Sequence, residues 1–129
     1  MIADTTFIID ILKGKKEAAE KTQELLNRNE PIKATTISVF EIWQGTKDIR
    51  NESEKEKIEK LLSSIGLIAF DIESAKKAGN IHADLKSKGE LIESADSMIA
   101  GIVLNHNETL LTRNKKHFEK IKGLKIESY

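Results

Sequence analysis

Met1-Ile2-Ala3-Asp4-Thr5-Thr6-Phe7-Ile8-Ile9-Asp10 opens the chain, and its reading decides the fold class. Met1 to Asp4 reads as a short buried strand, apolar until a carboxylate closes it. Thr6 to Leu12 follows at once and reads as a helix that ends at Gly14. A strand that passes straight into a helix is the opening of an α/β unit. Asp4 interrupts an apolar stretch, with Met1, Ile2 and Ala3 before it and Phe7, Ile8 and Ile9 after it. It suits the N-cap of that helix, with Thr5 and Thr6 supporting it.

The rest of the chain repeats the alternation. Lys15 to Asn29 reads as a helix with Ala18, Ala19, Thr22, Leu25 and Leu26 on one face, broken by Pro31. Ile32 to Thr35 is a second strand, and Ser38 to Lys47 a helix with Val39, Ile42 and Trp43 facing inward. Asn51 is placed to cap the next helix, with Glu54 completing a capping box; Ile58, Leu61, Leu62 and Ile65 form its stripe. Leu67 to Phe70 is the third strand. Asp71 caps a long helix to about Lys88, with Ala75, Ala78, Ile81, His82 and Leu85 inside. Ser94 to His106 is the most apolar helix and is expected to be covered on most sides. Thr109 to Thr112 is the fourth strand, Asn114 to Ile121 a short helix, and Lys125 to Glu127 a possible edge strand. Strands separated by helices imply a three-layer α/β/α sandwich around a central parallel sheet of four to five strands. No linker or repeat divides the sequence, so residues 1–129 read as one domain.

Composition narrows the function. The 129 residues hold 21 Lys and Arg against 21 Asp and Glu, a formal net charge of zero, and no cysteine. A zinc knuckle, a disulfide scaffold and a cysteine nucleophile are excluded. No apolar run approaches the ~20 residues of a membrane span. The first residues lack the basic region of a signal peptide, so a cytoplasmic protein is expected. The signs balance and 39% of residues are hydrophobic, which argues for a folded chain. A simple basic nucleic-acid binder would carry excess positive charge. Any nucleic-acid contact here therefore needs its lysines and arginines on one face, and its acids need a separate task.

In an open parallel sheet, ligands bind at the carboxyl ends of the strands. Asp4 closes the first strand, and Glu41 lies in the helix after the second. Asp96 lies near the start of the apolar helix, among Ala95, Met98, Ile99 and Ala100. Asn114 follows the fourth strand, after Thr112 and Arg113. Each has a plain structural reading: a cap for Asp4, a solvent-facing position for Glu41, a first-turn acid favoured by the helix dipole for Asp96, and a turn residue for Asn114. Together they are oxygen donors that suit a hard cation such as Mg²⁺ or Mn²⁺. Such an ion makes clustered carboxylates favourable, lowers the pKa of a bound water and stabilises charge on a phosphate. The chemistry this points to is phosphodiester hydrolysis.

Four short segments carry a resemblance: Ile2 to Asp10, Thr36 to Gly45, Ser94 to Ala100, and Leu111 to Phe118. In order and spacing they resemble the PIN-domain family, and within it the VapC-type toxins of toxin–antitoxin pairs. The resemblance implies a Mg²⁺- or Mn²⁺-dependent endoribonuclease acting on single-stranded or looped RNA. Asp4 and Asp96 would be the principal metal ligands. Glu41 would be the third acid, binding metal or placing the attacking water. Thr112 and Asn114 would organise the fourth corner, and Thr5 would support the first. Many members have an acid where Asn114 or His117 stands, and its absence puts a second metal site in doubt. The resemblance also implies a homodimer and an antitoxin partner, with Phe40, Trp43 and the Asn51–Ile65 helix as its groove.

Arg113, Lys115 and Lys13 are the candidates for RNA phosphates, with Arg113 first because it adjoins Asn114. His117, beside two lysines, reads as a surface residue. A phosphotransferase of the haloacid-dehalogenase type would need an acid where Thr6 stands, and a receiver domain would need an acidic pair that is missing. The remaining alternative is a catalytically weak PIN-fold module that binds RNA or a partner.

Overall fold

A computed structural model describes all 129 residues. β1 (Ile2–Ala3) is only two residues long, yet it is the middle strand of the sheet. It is followed by α1 (Thr5–Leu12), α2 (Lys16–Asn27), β2 (Lys33–Thr35), α3 (Thr36–Gly45), a 3₁₀ turn (Thr46–Asp48) and α4 (Glu52–Ser64). Then come β3 (Gly66–Ile68), α5 (Ile72–Ser87), α6 (Ser94–Asn105), β4 (Thr109–Leu111), α7 (Lys115–Phe118) and β5 (Lys125–Glu127). The strands lie in the order β3-β2-β1-β4-β5, and every pairing is parallel. The expected sandwich is therefore present, and the possible edge strand is its fifth member.

Period-two alternation makes the sheet two-faced. Met1, Ala3, Ala34 and Leu111 join Phe7, Ile8, Ala18, Leu25, Ile42 and Ile58 from α1 to α4 in one core. Ile2 and Leu110 join Leu85, Ile99, Ile102, Val103 and Phe118 from α5 to α7 in the other. The helices after β1 and β2 thus cover one face, and the pair after β3 covers the opposite face.

α5 and α6 form the closest helix pair, with Gly101 of α6 against the backbone of α5 at Ser74 and Ala78. Ser97 and the run Ile99 to Val103 are all buried, as expected for the most apolar helix.

Several local expectations are corrected. Trp43 is not in the core: it is 48% exposed and nearby Phe40 65% exposed, while Ser38 and Ile42 are the buried residues of α3 and Val39 is half-buried. In α2, Leu26 is 61% exposed and Lys21 takes a place in the buried stripe, its ammonium paired with Glu24 and Glu127. Asn51 caps α4 by accepting from the backbone N–H and the hydroxyl of Ser53, so its carboxamide makes no side-chain capping bond with Glu54. β3 begins one residue early, at Gly66, and ends at Ile68. The helix expected from Asn114 to Ile121 is only the single turn Lys115–Phe118, and Gly123 at positive φ lies in the turn that leads on to β5.

Candidate active site

The strand order reverses at β1. From β1 the chain steps to β2 and β3 on one side, then crosses to β4 on the other. The crevice outside the carboxyl ends of β1 and β4 is the switch point of the sheet, where open α/β folds place ligands. Asp4 follows β1 directly, and Thr112 follows β4 directly.

Asp4 uses both carboxylate oxygens. Oδ1 accepts from the backbone N–H of Phe7 at 2.8 Å, which caps α1. Oδ2 accepts from the Thr112 hydroxyl at 2.5 Å, tying the ends of β1 and β4 together. Thr112 Oγ1 in turn accepts from the Asn114 N–H at 2.9 Å. Asp4 is thus both the expected cap and the floor of the crevice, only 3% exposed. Burial pushes its carboxyl up to about 6 from the usual 3.8; the Thr112 and Phe7 hydrogen bonds oppose that rise, and the charge of Asp96 adds to it.

Asp96 enters from the first turn of α6, its side chain 24% exposed. Its carboxyl is also raised, chiefly by burial and further by the charges of Glu93 and Glu41, while His117 works against the rise. Glu41, on α3, accepts from the Thr5 hydroxyl at 2.5 Å. The charge of Asp96 is felt at Asp4 and that of Glu41 at Asp96, so the β1–α1 joint, α6 and α3 carry a chain of neighbouring carboxylates along the crevice. A site of this kind is short of positive charge. With the side chains as they stand, no group of three acids and histidines is set to enclose a metal ion; Glu41 is held toward Thr5 and Asp96 toward His117.

Asn114 donates its side-chain N–H to Thr6 Oγ1 at 3.2 Å, which leaves its carbonyl oxygen uncommitted. His117, read from sequence as a surface residue, has an exposed ring with Nδ1 3.5 Å from Asp96 Oδ2. Lys115 is exposed on the same short turn. Lys13 is not beside the acids. It caps the far end of α1, about 13 Å along the helix from Asp4 at 1.5 Å per residue, where it lines a separate cleft. Arg113 is half exposed, with Nη1 2.9 Å from Asp10 Oδ2. The sequence pattern alone assigns no role to Asp10. Its one signal was a second carboxylate within the apolar run of α1.

The sequence model for the PIN domain matches residues 1–124. The chain belongs to the PIN-domain family. Its relatives in that family include ribonuclease VapC2 of Rickettsia felis, 28% identical over 127 residues, covering 98% of this chain and 95% of that one. Ribonuclease VapC19 of Mycobacterium tuberculosis is 30% identical over 117 residues, covering 91% and 90%. Among solved structures, VapBC2 from Rickettsia felis bound to a DNA fragment from its promoter superposes with a TM-score of 0.88 at 26% identity, over 99% of this chain and 97% of the other. This PIN domain is therefore of the VapC type across its whole length, and the four segments quoted from the sequence are spread through the matched region.

Proposed function

We infer that this protein is an endoribonuclease of the toxin type, one that hydrolyses RNA phosphodiester bonds with the help of a divalent cation. The observation that carries the reading is the placement of a buried Asp4 and a half-buried Asp96 at the switch point between β1 and β4, close enough that the charge of Asp96 raises the Asp4 carboxyl. Arg113 and His117 offset part of the repulsion, and a bound cation would offset the rest. The donor set fits Mg²⁺ or Mn²⁺, because every donor is a hard oxygen. Asp4 and Asp96 would hold the ion and Glu41 would complete the site, either directly after leaving Thr5 or through water. When bound, the cation supplies positive charge to a phosphate and acidifies water at neutral pH.

The chain's own residues do the rest. Thr112 and the Phe7 N–H fix the Asp4 carboxylate so that its lone pairs face the crevice in one orientation. The Thr5 hydroxyl steers Glu41, which can accept a proton from an attacking water. The free carbonyl of Asn114 orients water at the fourth corner, where many relatives would place a charge. Arg113 and Lys115 on the rim engage RNA phosphates beside the acids, and Lys13, at the far end of α1, engages a phosphate farther along the strand.

For partners, we propose an antitoxin segment as the occupant of the cleft of about 570 Å³ between α1, α3 and α4, lined by Ile9, Leu12, Ile42, Ile49 and Ile58. That cleft takes in the α4 side of the expected groove but not Phe40 or Trp43. A homodimer and a cytoplasmic site of action complete the proposal. No helix is long and apolar enough to cross a membrane. Sedimentation of the purified chain reads the dimer. An adjoining open reading frame with a DNA-binding N-terminal region supports the partner.

The decisive measurement is cleavage of single-stranded and looped RNAs with Mn²⁺ or Mg²⁺, with a chelator in parallel. We expect cleavage by the wild type that disappears in chelator and in both Asp4→Asn and Asp96→Asn. Cleavage that survives both substitutions would falsify the assignment. A wild type that binds RNA but cuts none of a broad set favours the weak binding module, to which the non-acidic Asn114 points.

A further inference from the structure

One carboxylate oxygen on α1 has two partners from distant parts of the chain. Asp10 Oδ2 lies 2.9 Å from Arg113 Nη1 and accepts a 2.9 Å hydrogen bond from the Tyr129 hydroxyl. The Asp10 side chain is 4% exposed, whereas that of Arg113 is 51% exposed. The Tyr129 ring stands edge-on to Phe7, with centroids 4.7 Å apart, which fixes the hydroxyl. Phe7 is the residue whose N–H caps onto Asp4, and Arg113 directly follows Thr112, which holds the other oxygen of Asp4. The ion pair is thus built into the same two turns that build the acid site.

An exposed arginine is normally loose, since its long side chain loses rotamer freedom when held. A buried carboxylate held against Nη1 restricts that freedom, and no other side chain pairs with the remaining N–H groups. A planar fork held in this way matches a phosphate. We propose that Asp10 and Tyr129 are positioning residues, a buried anchor that aims the Arg113 guanidinium at an RNA phosphate beside the acid cluster. The proposal rests on the nuclease reading for its substrate but not for its geometry. Consistent with this placement, the charge of Arg113 is felt at Asp4, where it favours the ionised form.

The test is a double-substitution cycle on the full chain with Tyr129→Phe and Arg113→Gln. Phe keeps the packing on Phe7, and Gln keeps a donor for Asp10, so both variants should fold; thermal unfolding checks this. Cleavage of single-stranded RNA is followed with kcat and KM separated. We expect Arg113→Gln to raise KM about 10-fold with kcat changed less than about 3-fold, and Tyr129→Phe to raise KM about 3-fold. The double variant should match Arg113→Gln alone, since Tyr129 acts only through the arginine. The salt slope of log KM should fall by about 0.7 in Arg113→Gln. As a readout free of turnover, the Arg113 Nε–Hε NMR signal should be sharp in the wild type and broadened in Tyr129→Phe. Additive KM effects, or a wild type that cleaves while neither KM nor the signal responds to Tyr129→Phe, overturn the anchor. A wild type that cuts no RNA but whose signal broadens as expected overturns the nuclease reading and leaves the anchor standing.

Discussion

Asp4→Asn abolishes RNA cleavage and, in metal-free buffer at neutral pH, leaves a more stable fold. The loss of activity should be about 10³-fold or more, because the substitution removes a principal cation donor from the floor of the site. The gain in stability follows from the raised carboxyl. Burial lifts Asp4 from 3.8 in the unfolded chain to about 6 in the fold. The native state therefore binds the proton more tightly, and this contribution is fully present below about pH 4. It is lost as pH rises through about 6, where both states are ionised. The change spans about two units, or about 3 kcal/mol at 1.36 kcal/mol per unit. Asn keeps an oxygen for the Phe7 N–H but gives up the charge that favours the helix N-terminus, which returns about 1 kcal/mol. A net gain of about 1–2 kcal/mol remains, or about 3–8 °C in Tm for a chain of this size. Calorimetry at pH 4 and pH 7.5 without metal should show the two proteins nearly equal at the lower pH and the variant ahead at the higher. Adding Mn²⁺ should raise the wild type and not the variant. A variant that melts below the wild type at pH 7.5 in chelator would mean that Asp4 is chiefly a structural cap.

Gly101→Ala should carry the largest cost in stability. A Cβ at that position would stand 2.5 Å from the Ser74 carbonyl oxygen and 2.8 Å from both the backbone nitrogen and the Cβ of Ala78. Two of these are backbone atoms of α5, so no side-chain rotation relieves the clash. The helices must separate, opening a core that includes Ile99, Ile102 and Val103. Overpacking of this kind costs about 3 kcal/mol or more, against about 1 kcal/mol gained from replacing glycine inside a helix. A Tm lower by about 8–15 °C is expected. Gly79→Ala supplies the control. It lies in the facing helix α5 with open space around its Cβ position, so only the helix-propensity gain should appear. If both variants melt together, the close approach of α5 and α6 is not what Gly101 serves. Because α6 also carries Asp96, a shifted α6 should lower cleavage by the protein that remains folded.

The positions legible from sequence share one property: their environment is set within a few residues along the chain. Asp4 was readable as both cap and strand end because one strand-to-helix joint imposes both. Asp96 stood out by the apolar residues on either side of it. The face of a helix, in contrast, is legible from periodicity only as far as knowing which side chains point together. Whether anything lies over that face depends on the other elements. α3 packs on α1 and α6 through Ser38 and Ile42, and nothing covers the side that carries Phe40 and Trp43. Asp10 is not legible for the same reason. Its partners stand more than 100 positions away, at Arg113 and Tyr129, and no local pattern marks a carboxylate that is satisfied at such a distance. The Glu41–Thr5 bond, which joins α3 to the start of α1, was equally out of reach.

The place of β1 in the middle of the sheet has a consequence during translation. The first strand made is flanked by β2, which follows soon after, and by β4, which is synthesised some hundred residues later. Asp4 is finished only when Thr112 reaches it, and Arg113 and Tyr129 come later still. At about 5–20 residues per second, a ribosome spends several seconds holding a chain that has its first acid but no crevice. A nuclease whose first acid is completed by β4 has no closed site before that strand is made.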